Sequence, residues 1–240
     1  MKRYVTNDPR MIERLDFLRL DVGFAVHFAH NVEKMPVEPQ TAFVRAKYAL
    51  QDGIGRLDRL GADATRTDAA RHDAAKVLYD RMAGEVRSAA KTAATWAATE
   101  LQAAQRGLNA VLAPSPDKAG LYAEIRAHVA SRRTDPDFSL SALVKSSQDT
   151  AVAVASAPFF LSGISEERHR DISVTAMMAH APEEAERIVA AKAIAGEAER
   201  MEKGLQEIQP AFYVDSVAAK MGSFVDVNAP FAEAPPVAAE

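Results

Sequence analysis

The sequence predicts an all-α protein: a long alanine-rich, coiled-coil-like helix, a smaller C-terminal helical module and an extended Pro/Ala tail. Three observations carry this. Alanine, the best helix former, supplies roughly a fifth of the 240 residues. Apolar residues recur at intervals of three and four along most of the chain. Prolines punctuate those periodic segments and so mark their ends.

The first segment, 1–40, starts a helix at Asp8-Pro9, with proline at the first helical position. Ile12, Leu15, Leu18 and Val22 follow at helical spacing. Phe24, Val26 and Phe28 alternate as in a strand, but the preceding rhythm favours helix to about Met35. Pro36 and Pro39 end it. The opening MKRYVTNDPR has no apolar core, so no secretory signal is expected.

The second segment, 41–113, begins with Phe43, Ala46, Leu50, Ile54, Leu57 and Leu60 on one face. Gly53, Gly55 and Gly61 each cost about 1 kcal/mol relative to alanine and predict a bend. From Ala64 to Ala113 the pattern is stronger. Val86, Ala90, Ala93, Ala97, Leu101, Ala104, Leu108 and Val111 form a near-heptad seam of mostly small residues. About 50 helical residues would span roughly 75 Å. Such a helix has to pair with another helix of this chain or of a second copy. Trp96 beside the seam is either a packing anchor or a contact between subunits. Tryptophan is enriched in binding hot spots.

The third segment, 117–224, follows the break Ala113-Pro114-Ser115-Pro116. A helix to Arg133 carries Leu121, Ile125 and Val129. Ser139 or Ser141 starts the next, which is expected to run without a break to Pro158. Ser165 is an N-cap, with Glu166 and Glu167 at the positive end of the helix it opens. Pro182 opens another helix, whose stripe is Ile188, Ala191, Ala195, Ala198, Met201, Leu205 and Ile208. Pro210 is expected to interrupt it, and a short helix from Val214 to Met221 to follow. The last segment, 225–240, rich in Pro and Ala, reads as an extended tail.

The charge-free stretch Thr150–Ser165 is too short for the ~20 apolar residues of a membrane span and contains Pro158. It divides into the end of a small-residue helix and a fixed apolar turn. Phe159, Phe160 and Leu161 are expected to plug the junction between helices; exposure as a docking knob is the alternative. Gly163 supplies a backbone angle other residues resist.

Chemistry is sparse. There is no cysteine, which excludes disulfides, thiolate metal sites and cysteine nucleophiles. The net charge of −4 gives no reason to expect nucleic acid. The most basic patch, Lys118, Arg126, His128, Arg132 and Arg133, is diluted by Asp135 and Asp137. His27 and His30 would share a helical face but lack further ligands. Gly53-Ile54-Gly55 lacks the third glycine of a nucleotide loop. Ser162-Gly163 sits in no nucleophile motif. No catalytic, cofactor-binding or metal residue is assigned. The candidate interaction residues are Trp96, Leu101, Leu108, Phe159, Phe160 and Leu161.

One resemblance adds a setting. Ala157-Pro158-Phe159-Phe160-Leu161-Ser162-Gly163, then Ser165-Glu166-Glu167, then His180-Ala181-Pro182-Glu183 resemble a module of helical proteins encoded among the structural and packaging genes of tailed phages and prophages. The similarity covers about Ile125 to Ala191. It implies no catalytic residues. It implies a non-enzymatic structural or assembly protein in the virion or host cytoplasm, bound to itself and to other virion proteins. It implies no small-molecule substrate, cofactor or membrane insertion. A helical adaptor or regulator, DNA-associated, is the alternative.

Overall fold

The computed structural model describes residues 4–6 and 8–220. Those residues form helices and turns, with no strand among them. The expected tail, 225–240, lies outside the described residues. The helices are α1 (Pro9–Leu18), α2 (Asp21–His27), α3 (Val37–Ala62), α4 (Asp68–Val111), α5 (Ala119–Arg132), α6 (Leu140–Ser146), α7 (Gln148–Ala155), α8 (Glu166–His180), α9 (Pro182–Phe212) and α10 (Asp215–Ala218). Short 3₁₀ turns occupy Val32–Lys34, Pro116–Lys118 and Phe159–Ser162. No helix among the described residues is long and apolar enough to cross a membrane.

Side-chain caps explain many of the starts. Asp8, Ser139, Ser147 and Ser165 each accept a backbone N–H of the first turn of α1, α6, α7 and α8. Thr67 does the same for α4 through the Ala70 N–H. Each such bond satisfies a donor that the helix itself leaves unpaired.

Several boundaries correct the sequence reading. The first helix is not continuous to Met35. It stops at Leu18, and α2 ends at His27, ahead of Asn31 in the left-handed region at φ 48°. His27 and His30 therefore share no helical face. Pro39 does not end a helix; it lies in the first turn of α3, where a proline's missing N–H costs nothing. The glycines of α3 produce no break: Gly53 faces Met82, and a Cβ there would come within 2.7 Å of its sulfur. The long helix starts at Asp68, four residues later than expected, at the Thr67 cap. Pro210 lies within α9, two residues before its end. The helix before Pro158 is two helices, divided at Ser147.

Contacts group the chain into two compact units built from separated stretches. The first takes the described residues up to Phe28, Val44–Arg87 and those from Met201 onward. Its core is aromatic: Tyr4, Phe24, Phe28, Tyr79, Phe212 and Tyr213 are buried. Phe24 stacks on Phe28 at 5.6 Å, and Tyr79 meets Phe212 edge-on at 5.4 Å. The polar ends of these rings are satisfied. The Tyr79 hydroxyl donates to the Leu205 carbonyl at 2.9 Å and that of Tyr4 to Asp16 at 2.6 Å. Buried His72 accepts the Val214 N–H through Nδ1 at 3.0 Å, just ahead of α10. Within this unit α4 lies against α9, as Arg87–Glu202 and Tyr79–Leu205 record.

The second unit takes Ala29–Phe43 and Ser88–Arg200. Its C-terminal module is built around α7, whose Thr150, Ala151, Val152, Ala153 and Val154 are buried in succession. Helix α7 is small enough for α5, α6 and α8 to pack around it. One cluster joins Val129, Leu140, Val144, Ala151, Val154, Ile172 and Ala176; another joins Tyr122 to Val152 and Ala153. Burying each valine contributes about 1.5–3 kcal/mol. The alanine seam has its partner in this chain. Ala93, Ala97 and Ala104 of α4 are buried, as are Ala185, Ile188 and Ala191 of α9. Arg187 bonds Glu100 across the pair, and Gly107 leaves room for Glu184. The Ala29–Phe43 stretch is tied to α9 at His30, whose backbone N–H donates to Glu197 at 3.1 Å and whose ring also faces Arg200.

Candidate functional site

The second unit carries an apolar turn built to stay outside the core. Pro158, at φ −55° and ψ 139°, ends the run of α7 and directs the chain into the 3₁₀ turn Phe159–Ser162. The Leu161 N–H bonds the Pro158 carbonyl at 3.1 Å and the Gly163 N–H that of Phe160 at 3.2 Å. Gly163 closes the turn at φ 65°, a conformation an L side chain resists. Its missing Cβ also allows close approach, since a methyl there would lie 3.2 Å from Ala130 Cβ on α5. Ser165 then caps α8. The turn is thus fixed at both ends and seated on α5.

The expected plug is corrected here. Phe159, Phe160 and Leu161 are 38%, 65% and 49% exposed, so the turn faces solvent. The two rings lean on each other edge to face at 5.8 Å. The inward residue is Ser162, fully buried, with no partner for its hydroxyl. Helix periodicity could not reveal this, because the turn is 3₁₀ and its own register selects Ser162 as the inward position. The sequence reading of Gly163 as the special angle agrees with the structure.

Beside the turn lies a cleft of about 480 Å³ among the ends of α4 and α7 and the middle of α8. Leu108, Leu112, Pro114, Ala155, Val174 and Met177 give it apolar walls, with Gln105, Asn109, Ser156 and Ser173 at polar positions. None of the lining residues is ionisable. Their hydrogen-bond donors are largely engaged: Ser156 Oγ donates to the Val152 carbonyl, Ser173 Oγ to that of His169, and the Gln105 amide to Asn109. Val174 and, one turn on, Met178 are more than half exposed. The sequence reading passed over both. Their i, i+4 spacing, off the buried Ile172–Ala176 stripe, was the available signal.

The other candidates are dispersed. Leu108 lines the cleft, while Trp96 and Leu101 are half-buried on α4. The basic residues are partly occupied structurally. Arg126 donates to the Ala153 carbonyl, Arg132 pairs with Asp135 and lies over the Phe138 ring, and Lys118 pairs with Asp149 at 2.8 Å. Asp135 is held below its ordinary range by the Asp137 N–H and then by Arg132. Burial lowers the His27 pKa, with Arg14 adding to the effect. Among the described residues no group of three or more His, Asp or Glu gathers as a metal site would require.

No protein-family model matches this chain, no curated protein matches it in sequence, and no solved structure matches it in fold.

Proposed function

We propose that the chain is a non-enzymatic structural or assembly protein of a tailed phage or phage-like particle, acting through contacts with other copies and with neighbouring virion proteins. The observation that carries the contact role is the Phe159-Phe160-Leu161 turn. Exposed aromatic residues on a rigid support are the usual anchors of binding surfaces. A flexible loop could hide such rings; Pro158, Gly163 and the Ser165 cap hold this one in place. The phage setting rests on the resemblance of the Ala157–Gly163 and His180–Glu183 motifs.

Mass spectrometry of purified particles and of assembly intermediates tests the setting. The chain is expected in one or both, and its absence from both overturns the reading. Phe160→Asp tests the turn: the variant is expected to fold and to be lost from particles. Retention at wild-type copy number would remove the turn from the contact role.

A further inference from the structure

We infer that the exposed turn of one copy docks in the Leu108–Met177 cleft of a second copy, and that the exchange is reciprocal. This deepens the contact role proposed above and rests on it.

The first argument is charge. The turn lies in the uncharged run Thr150–Ser165, and the cleft lining has no ionisable side chain. Docking one in the other desolvates no charge, whereas a charged occupant would lose its hydration without an ionic partner. The second argument is hydrogen bonding. Ser156, Ser173 and Gln105 donate within the chain, so the cleft offers few free donors to a polar small molecule. It suits an aromatic or aliphatic side chain. The third is size. At about 480 Å³ the cleft lies in the range of ligand-sized sites, ample for phenyl rings.

The fourth argument selects the partner. Ser156 lines the cleft and Phe159 opens the turn three residues later, so donor and acceptor surfaces adjoin on one unit. A pair of adjoining complementary surfaces is what a twofold interface uses, with each copy giving its turn and receiving the other's. In its own chain the turn is held outward on α5 and leaves its own cleft open.

The test is light scattering coupled to size-exclusion chromatography, on the full chain across about a hundredfold range of concentration. Wild type is expected to move from 25.9 kDa toward twice that mass. Phe160→Asp and Val174→Asp alter exposed positions and are expected to keep their circular dichroism. Each should weaken association about tenfold or more, as loss of a hot-spot contact does. Mixing the two variants should restore mixed dimers above either alone, because one of the two turn–cleft pairs stays intact. A crosslink gives an independent readout, since the chain has no cysteine. Phe160→Cys mixed with Val174→Cys should form a disulfide-linked dimer. Phe160→Cys with Val189→Cys, exposed on α9, should not.

A wild-type chain that stays monomeric overturns the inference. So does a dimer indifferent to both aspartates, or equal crosslinking to Val189→Cys. If the chain is monomeric yet Phe160→Asp is lost from particles, the turn meets a different virion protein; the self-docking fails and the contact role stands.

Discussion

The two units use aromatic residues in opposite ways. The first buries Phe24, Phe28, Tyr79, Phe212 and Tyr213 and bonds the Tyr79 hydroxyl to backbone inside the core. The C-terminal module of the second closes most of its core with Val, Ala, Leu and Ile and turns Phe159 and Phe160 outward. The same residue type is therefore structural in one unit and displayed in the other. Small residues make the second arrangement possible. An alanine- and valine-faced α7 lets α5, α6 and α8 approach closely, and the core needs no phenyl ring to fill it.

The largest effect that can break this comparison is expected in the first unit. Phe212→Ala should cost about 4 kcal/mol in urea unfolding, since it removes a fully buried ring and leaves a cavity. A loss below about 1 kcal/mol would show that the ring is not a core element. Alkaline titration follows. Burial, with the hydrogen bond to Asp16, pushes Tyr4 up to about 12, and burial raises Tyr79 as well. The native phenols stay protonated after those of the unfolded chain ionise near pH 10. Stability should therefore be unaffected by these groups below pH 10 and fall as pH rises from 10 toward 12. Tyr4→Phe should flatten that slope, as urea midpoints at stepped pH would record.

The second unit should respond less. Gly163→Ala should cost about 1–2 kcal/mol, because alanine resists the left-handed angle, and a larger loss would sharpen the view that the turn is fixed by its backbone. Ser162→Ala should raise stability by about 1 kcal/mol, since the buried hydroxyl has no partner. Thermal melts resolve both. The smallest effect is expected at the displayed ring: Phe160→Ala should change the melting transition by less than about 0.5 kcal/mol. A cost like that of Phe212→Ala would put the turn in the core and end the contrast.

Much of the fold was legible because caps and periodicity act locally. Asp8, Ser165 and Pro182 start helices where their chemistry requires. The seam from Val86 to Ala104 is buried at each alanine position. What was not legible depends on tertiary partners. The glycines of α3 look like weak points until Met82 is seen against Gly53. The seam's partner could not be chosen between chains until Glu184 and Arg187 met α4. The outward turn was misread because hydrophobicity marks what can be buried, not whether the surrounding helices have room for it. The cleft gave no motif at all, since its walls come from three helices far apart in sequence.

Ser147 has a consequence of its own. It ends α6 and caps α7 at once, so no spare residue separates the two helices. Each residue added to a helix advances it by about 100°. Inserting one amino acid at this joint would turn α7 by that angle and swing the bearing of the Phe159–Leu161 turn with it. The direction in which this protein points its aromatic rings is thus written as a residue count, with Ser147 as the zero mark.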